Sequence, residues 1–95
     1  MNSKVSIIIP CYNAEKTISK CLKSIFNSIS TFNDLYSFEI IVINDGSNDQ
    51  TLSIVKEFDE IKIINHNKNL GLSSARNAGI KATDSEYIIF IDSDI

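Results

Sequence analysis

A chain of 95 residues, 43% of them apolar, has material for one modest core and not for two, so one domain is the ceiling. Nine Lys and Arg against 12 Asp and Glu give a formal net charge of −3 without a basic cluster, and a nucleic-acid partner finds no electrostatic support. No apolar stretch nears the roughly 20 residues that cross a bilayer, and the start MNSKVSIII lacks the apolar region and small-residue cleavage site of a signal peptide, so a cytoplasmic protein is expected.

Residues 4–9, KVSIII, form a β-branched run that Pro10, having no N–H to give a ladder, is expected to end. From Ala14 the period changes. Ile18, Leu22, Ile25, Phe26 and Ile29 draw one stripe along a helix with Asn13 as its N-cap. Residues 30–37, STFNDLYS, lack a period and read as a loop. FEIIVIN, residues 38–44, has almost no polar alternation, which marks a strand covered on both faces, as in parallel sheets. It stops at Asp45-Gly46. Ser47 and Gln50 make an S-x-x-Q capping box, and Leu52, Val55 and Phe58 continue a second helix.

IKII, residues 61–64, is a third strand, followed by the polar loop NHNKNLG, in which His66 reads as an ordinary loop residue. Residues 72–82 carry small Ala75, Ala78, Gly79 and Ala82 and form a third helix able to lie close to a sheet; EYIIFI, residues 86–91, is a fourth strand. Cys11 and Cys21 lack zinc-type spacing or a second pair, so reduced thiols are expected, one in a loop and one on a helix.

Strand and helix alternate, which predicts an α/β fold: a parallel, Rossmann-like sheet of about four strands with helices between them. No helix follows the fourth strand, so the 95 residues are expected to be part of a longer protein, with the domain truncated. An uncovered apolar strand there leaves an oligomer open.

In open α/β sheets ligands bind beyond the carboxyl ends of the strands. Tyr12, Asn13, Asp45, Ser47, Asp92 and Asp94 should therefore gather along one edge. Massed carboxylates repel unless a cation or hydrogen-bond donors offset them, and oxygen ligands suit Mg²⁺ or Mn²⁺. The chain has neither a G-x-x-x-x-G-K-[ST] loop nor a G-x-G-x-x-G turn, so phosphate is expected to be held through metal.

Four blocks in order, VSIIIPCYNAEKTISKCLKSI, FEIIVINDGSNDQT, NKNLGLSSARNAGI and EYIIFIDSD, resemble the nucleotide-sugar half of a family 2 glycosyltransferase with the GT-A fold. The resemblance covers essentially residues 1–95, ending at the D-x-D motif. It implies a metal-dependent enzyme that moves a sugar from a nucleotide-diphosphate sugar, typically UDP-linked, to a glycan or lipid-linked acceptor. Whether parts outside this chain add a peripheral place at the inner face of the membrane stays open.

Residue by residue, the resemblance implies that Pro10 and Tyr12 line the base pocket and that Asp45 hydrogen-bonds the base. Asn13, Gly46 and Ser47 would lie on the same donor side, with Arg76 and Asn77 of the ARN block nearby. Asp92 would face the ribose or sugar, and Asp94, together with Asp92, would hold Mg²⁺ or Mn²⁺. Two departures stand out: Asn44 occupies a position where the family often has Asp, and the loop at 30–37 is longer than usual. The catalytic base is expected beyond residue 95, so no catalytic residue is assigned and the chain alone should hold a donor without transferring sugar.

Rival classes fit less well. A nucleotidyltransferase opens with a glycine-rich loop carrying Arg and Lys, where PCYNAEK stands. A phosphorelay receiver needs an acidic pair after the first strand and an Asp after the third, where Pro10-Cys11 and Asn65-His66 stand. A nucleotide-binding module without sugar transfer stays open.

Overall fold

The computed structural model describes residues 3–94; Met1, Asn2 and Ile95, at the ends of the expected domain, lie outside the described residues. The elements run β1 (Ser3–Cys11), α1 (Ile18–Phe32), β2 (Tyr36–Asp45), α2 (Thr51–Val55), β3 (Ile61–His66), α3 (Leu72–Lys81) and β4 (Tyr87–Phe90). The strands form one parallel sheet in the order β3-β2-β1-β4, which is the predicted fold class. No helix among the described residues is long and apolar enough to cross a membrane.

Because successive residues of a strand face opposite sides, β1 and β2 supply two cores at once. Ile7, Ile9, Ile40 and Val42 pack against Ile18, Leu22 and Ile25 of α1 and Val55 of α2. Ile8, Ile41 and Ile43 face the other way, onto Ala75 and Ala78 of α3. Gly79 sets how near α3 comes: a Cβ there would lie 2.5 Å from Cγ2 of Ile8, which is fully buried.

This arrangement places a switch point. From β1 the chain moves to β2 and β3 on one side, with α1 and α2 on one face; from β3 it crosses over α3 on the opposite face to β4, on the far side of β1. The connections therefore diverge between β1 and β4, and the crevice beyond their carboxyl ends is where such sheets bind ligands.

Several boundaries differ from expectation. Pro10 lies within β1, opposite Ile43, rather than ending it. Ile8 accepts a bond from Ile91 through its carbonyl, so groups of Pro10, two residues on, face the same side. The β1–β4 pairing has stopped at Ile8 and Phe90, so the missing N–H has no partner to lose. Helix α1 starts at Ile18, not Ala14, and Asn13 is not its N-cap; Thr17 holds that place without a side-chain bond. Its apolar stripe carries it to Phe32, and β2 begins at Tyr36 opposite Ser3, which reduces the expected loop at 30–37 to three residues, 33–35. Helix α2 has five residues, and Ser47 does not cap it. Strand β3 extends to His66, which is therefore no loop residue. Cys11 is the last residue of β1 and not a loop thiol. Both cysteines are buried and free, and burial pushes the Cys11 thiol up to about 12.

Candidate functional site

Two recesses open at the carboxyl edge of the sheet. The larger, of about 820 Å³, is lined by Pro10, Tyr12, Asn13, Lys16, Asp49, Leu72, Asp92 and Asp94, among others. The smaller, of about 230 Å³, is lined by Asp45, Asn69, Gly71 and Ala75 with Pro10, Cys11, Tyr12 and Leu72. Pro10, Tyr12 and Leu72 belong to both, so the recesses share a wall. Tyr12 is half-exposed on that wall.

The wall is held by a clasp between the β1–α1 and β2–α2 loops. Asn13 N donates to Ser47 Oγ at 2.9 Å, Ala14 N to Thr51 Oγ1 at 2.8 Å and Glu15 N to Asp49 Oδ2 at 3.2 Å. In return Asn48 N donates to Asn13 Oδ1 at 2.8 Å and Gln50 N to Glu15 Oε2 at 3.2 Å. Main-chain donors left free by two irregular loops are thus satisfied by side chains of the facing loop and of Thr51 at the start of α2. Asn13 adopts a φ of 50°, a left-handed conformation that Asn tolerates, and this turn delays α1 by a few residues. Burial disfavours the Asp49 charge, but bonds from Thr51 and from the Glu15 main chain together outweigh it and hold the carboxyl below its ordinary range.

Asp45 is the most enclosed acid of the site, 3% exposed at the end of β2. His66 Nδ1 lies 2.7 Å from Oδ1, Leu70 N donates to Oδ1 at 3.0 Å and Gly71 N to Oδ2 at 3.0 Å. Burial pushes this carboxyl up, and the three N–H groups more than compensate, so it stays below the usual carboxylate range. Gly46, next in the chain, has φ +76°, and a Cβ there would collide with the main chain of Lys68 and Asn69. The turn after β2 is therefore packed under the loop that leads into α3.

Asp92 and Asp94 are exposed on the turn after β4 and line the larger recess with Ser93. The turn is tied to the core from below, where Cys21 Sγ donates to the Asp92 carbonyl at 3.8 Å. Two exposed carboxylates at one cleft are hard oxygen donors, and Mg²⁺ or Mn²⁺ is commonly held by one or two carboxylates plus ligand phosphates and water. No group of three His, Cys, Asp or Glu able to enclose an ion occurs among the described residues. The donor set therefore fits a cation shared with a phosphate ligand rather than an all-protein cage.

Of the residues expected at the site, Pro10, Tyr12, Asn13, Asp92 and Asp94 come together at the larger recess, and Asp45 joins Pro10 and Tyr12 at the smaller one. Gly46, Ser47, Arg76 and Asn77 line neither. Ser47 holds Asn13, and Asn77 is exposed on α3. Arg76 lies over the Phe90 ring, 5.6 Å from its centroid, with a buried Nε that lacks a partner among the described residues. Sequence reasoning missed Glu15, Asp49, Thr51, His66 and Leu72, whose contacts span 21 residues or more or whose role is to line a wall.

The profile of Glycosyl transferase family 2 matches residues 6–95. The chain belongs to this family. It is 39% identical over 97 residues to glycosyltransferase GlyA of Streptococcus pneumoniae, covering 99% of this chain and 13% of that protein. The fold superposes on residues 1–349 of S. aureus TarS in complex with UDP with a TM-score of 0.81 and 33% identity, covering 96% of this chain and 27% of that one. Glucosyl-3-phosphoglycerate synthase of Mycobacterium tuberculosis, in complex with Mn²⁺, UDP and phosphoglyceric acid, matches with a TM-score of 0.74 and 26% identity, over 96% of this chain and 33% of that one. The family 2 chain described here thus spans between an eighth and a third of the length of these relatives.

Proposed function

We propose that this family 2 chain supplies the donor site of a glycosyltransferase that takes its sugar from a nucleoside-diphosphate sugar, UDP-linked in the first instance. The observation that carries the reading is the pair of adjoining recesses at the switch point, one holding Asp45 and the other Asp92 and Asp94, with Pro10 and Tyr12 in the wall between. A single flat base suits the smaller recess, stacked against Tyr12 and donating a ring N–H to Asp45. The ribose and diphosphate would then run past Asp92 into the larger recess. The complexes of two relatives with UDP support the same orientation of function.

Asp94, with Asp92, would hold Mg²⁺ or Mn²⁺. When bound, such a cation supplies positive charge against the diphosphate that departs with the nucleoside. The protein's own part is positional: the clasp fixes Tyr12 and Asn13, and the buried carboxylate of Asp45 orients the base. An acceptor hydroxyl, on a glycan or a lipid-linked glycan, needs a base to remove its proton, and that role is assigned to none of the residues in these recesses.

The test is calorimetric titration of UDP into the protein with and without Mn²⁺, repeated on Asp94→Ala. The expected result is binding that weakens at least tenfold both without metal and in the variant, about 1.4 kcal/mol in either case. Binding of UDP that is indifferent to Mn²⁺ and to Asp94→Ala would remove the metal from the reading, and no binding under any condition would remove the donor site.

A further inference from the structure

The environment of Asp45 assigns a role to a residue outside the expected site. An ionised carboxylate only accepts hydrogen bonds, with about two lone-pair directions on each oxygen. On Asp45, Oδ1 takes His66 Nδ1 and Leu70 N and is full. Oδ2 takes Gly71 N and, among the described residues, keeps one acceptor direction. That direction is what the carboxylate offers to the smaller recess, which it lines with Tyr12 and Leu72.

Two of the three donors are main-chain groups. His66 is the one side chain, and it arrives by register, since it sits opposite Asp45 where β2 and β3 pair. Its side chain is 14% exposed. Because its partner can only accept, Nδ1 must carry the proton. With Oδ1 taken, the carboxylate cannot rotate to offer a different oxygen or to sink both into the loop.

We infer that His66 is a positioning residue for nucleobase selection, fixing Asp45 so that the recess accepts a ring edge presenting an N–H and rejects one presenting a lone pair. The inference rests on the donor-site reading above. Uracil carries a ring N–H at the edge in question and cytosine carries an acceptor nitrogen, so the recess should prefer UDP to CDP. A buried acceptor facing another acceptor leaves both unpaired, which is the situation that yields strong discrimination. His66 touches no ligand in this scheme and acts through Asp45.

The experiment measures the affinity of the intact protein for UDP, CDP and inorganic pyrophosphate, each with Mn²⁺, in wild type, His66→Ala and His66→Asn. The Asn amide can return an N–H near the place of Nδ1. The expected result is a roughly tenfold loss of UDP affinity in His66→Ala, the size of one hydrogen bond to a charged group. Pyrophosphate affinity should be unchanged, the UDP preference over CDP should shrink, and His66→Asn should recover most of both. His66→Phe, which keeps a ring and removes the donor, replaces His66→Ala if the latter does not fold. UDP binding that survives both donor-free variants overturns the inference, as does an equal loss for UDP and pyrophosphate. A wild type that binds pyrophosphate but not UDP overturns the donor-site reading itself, and this inference with it.

Discussion

Asp45 holds a loop in place while its side chain still lines a recess. Its carboxylate gathers three N–H groups from β3 and from the loop that enters α3, so it locks that loop before any ligand arrives. Replacing it with Ala leaves those donors buried without an acceptor, and a loss of about 2–3 kcal/mol in unfolding free energy is expected at neutral pH. The acid response follows from the sign of its shift. Its folded-state carboxyl sits below the ordinary value, so its contribution is complete above the unfolded value of about 3.9 and is lost as pH falls through the folded one. Urea unfolding at pH 6 and below pH 4 should show a smaller drop for Asp45→Ala than for wild type. Equal drops would mean that Asp45 gains nothing from its charge. Asp45 itself was legible from its place after an apolar strand. His66 was not, because the Asp45 contact comes from strand register across 21 residues and has no local signature.

At the scale of elements, apolar runs located the strands well, while helix starts depended on contacts made at long range. Asn13 has the chemistry of an N-cap, yet its side-chain oxygen is taken by Asn48, 35 residues away, and α1 begins later. Ser47 and Gln50 have the spacing of a capping box, but Ser47 accepts from Asn13 instead. Local rules for capping hold only where no facing loop competes for the same atoms. Small residues on α3 were a more faithful signal. Gly79 lets the helix backbone lie on Ile8, a stiff β-branched side chain that is fully buried and has little room to turn. Ala is the better helix former by about 1 kcal/mol, but the added methyl must displace Ile8, at a cost of about 1–3 kcal/mol. Gly79→Ala is therefore expected to lower the thermal midpoint. A raised midpoint would mean that α3 shifts outward freely and that its distance from the sheet is not set at this residue.

The whole molecule divides its sheet unevenly. β1 and β2 are covered on both faces, whereas every residue of β4 is exposed and its outer edge is unpaired among the described residues. Tyr87, Ile88, Ile89 and Phe90 nonetheless have the composition of an interior strand, and the same strand leads into the Asp92–Asp94 turn. Beside it, Ile7, Ile25, Ile29 and Phe38 line an apolar recess of about 350 Å³ with Ile89 and Ile91. Apolar strand edges of this kind pair with whatever strand is available. The 95-residue chain in isolation is therefore expected to associate as its concentration rises, and sedimentation velocity across a dilution series measures this directly. Ile89→Lys places a charge on the exposed strand while leaving β1 pairing to the main chain, and it should shift the distribution toward monomer without lowering the thermal midpoint by more than a few degrees. Association that persists unchanged in Ile89→Lys would place the contact elsewhere, with exposed Leu35 and Leu70 the next surfaces to alter. A wild-type chain that stays monomeric at every concentration would show that a four-residue strand is too short an edge to recruit a partner.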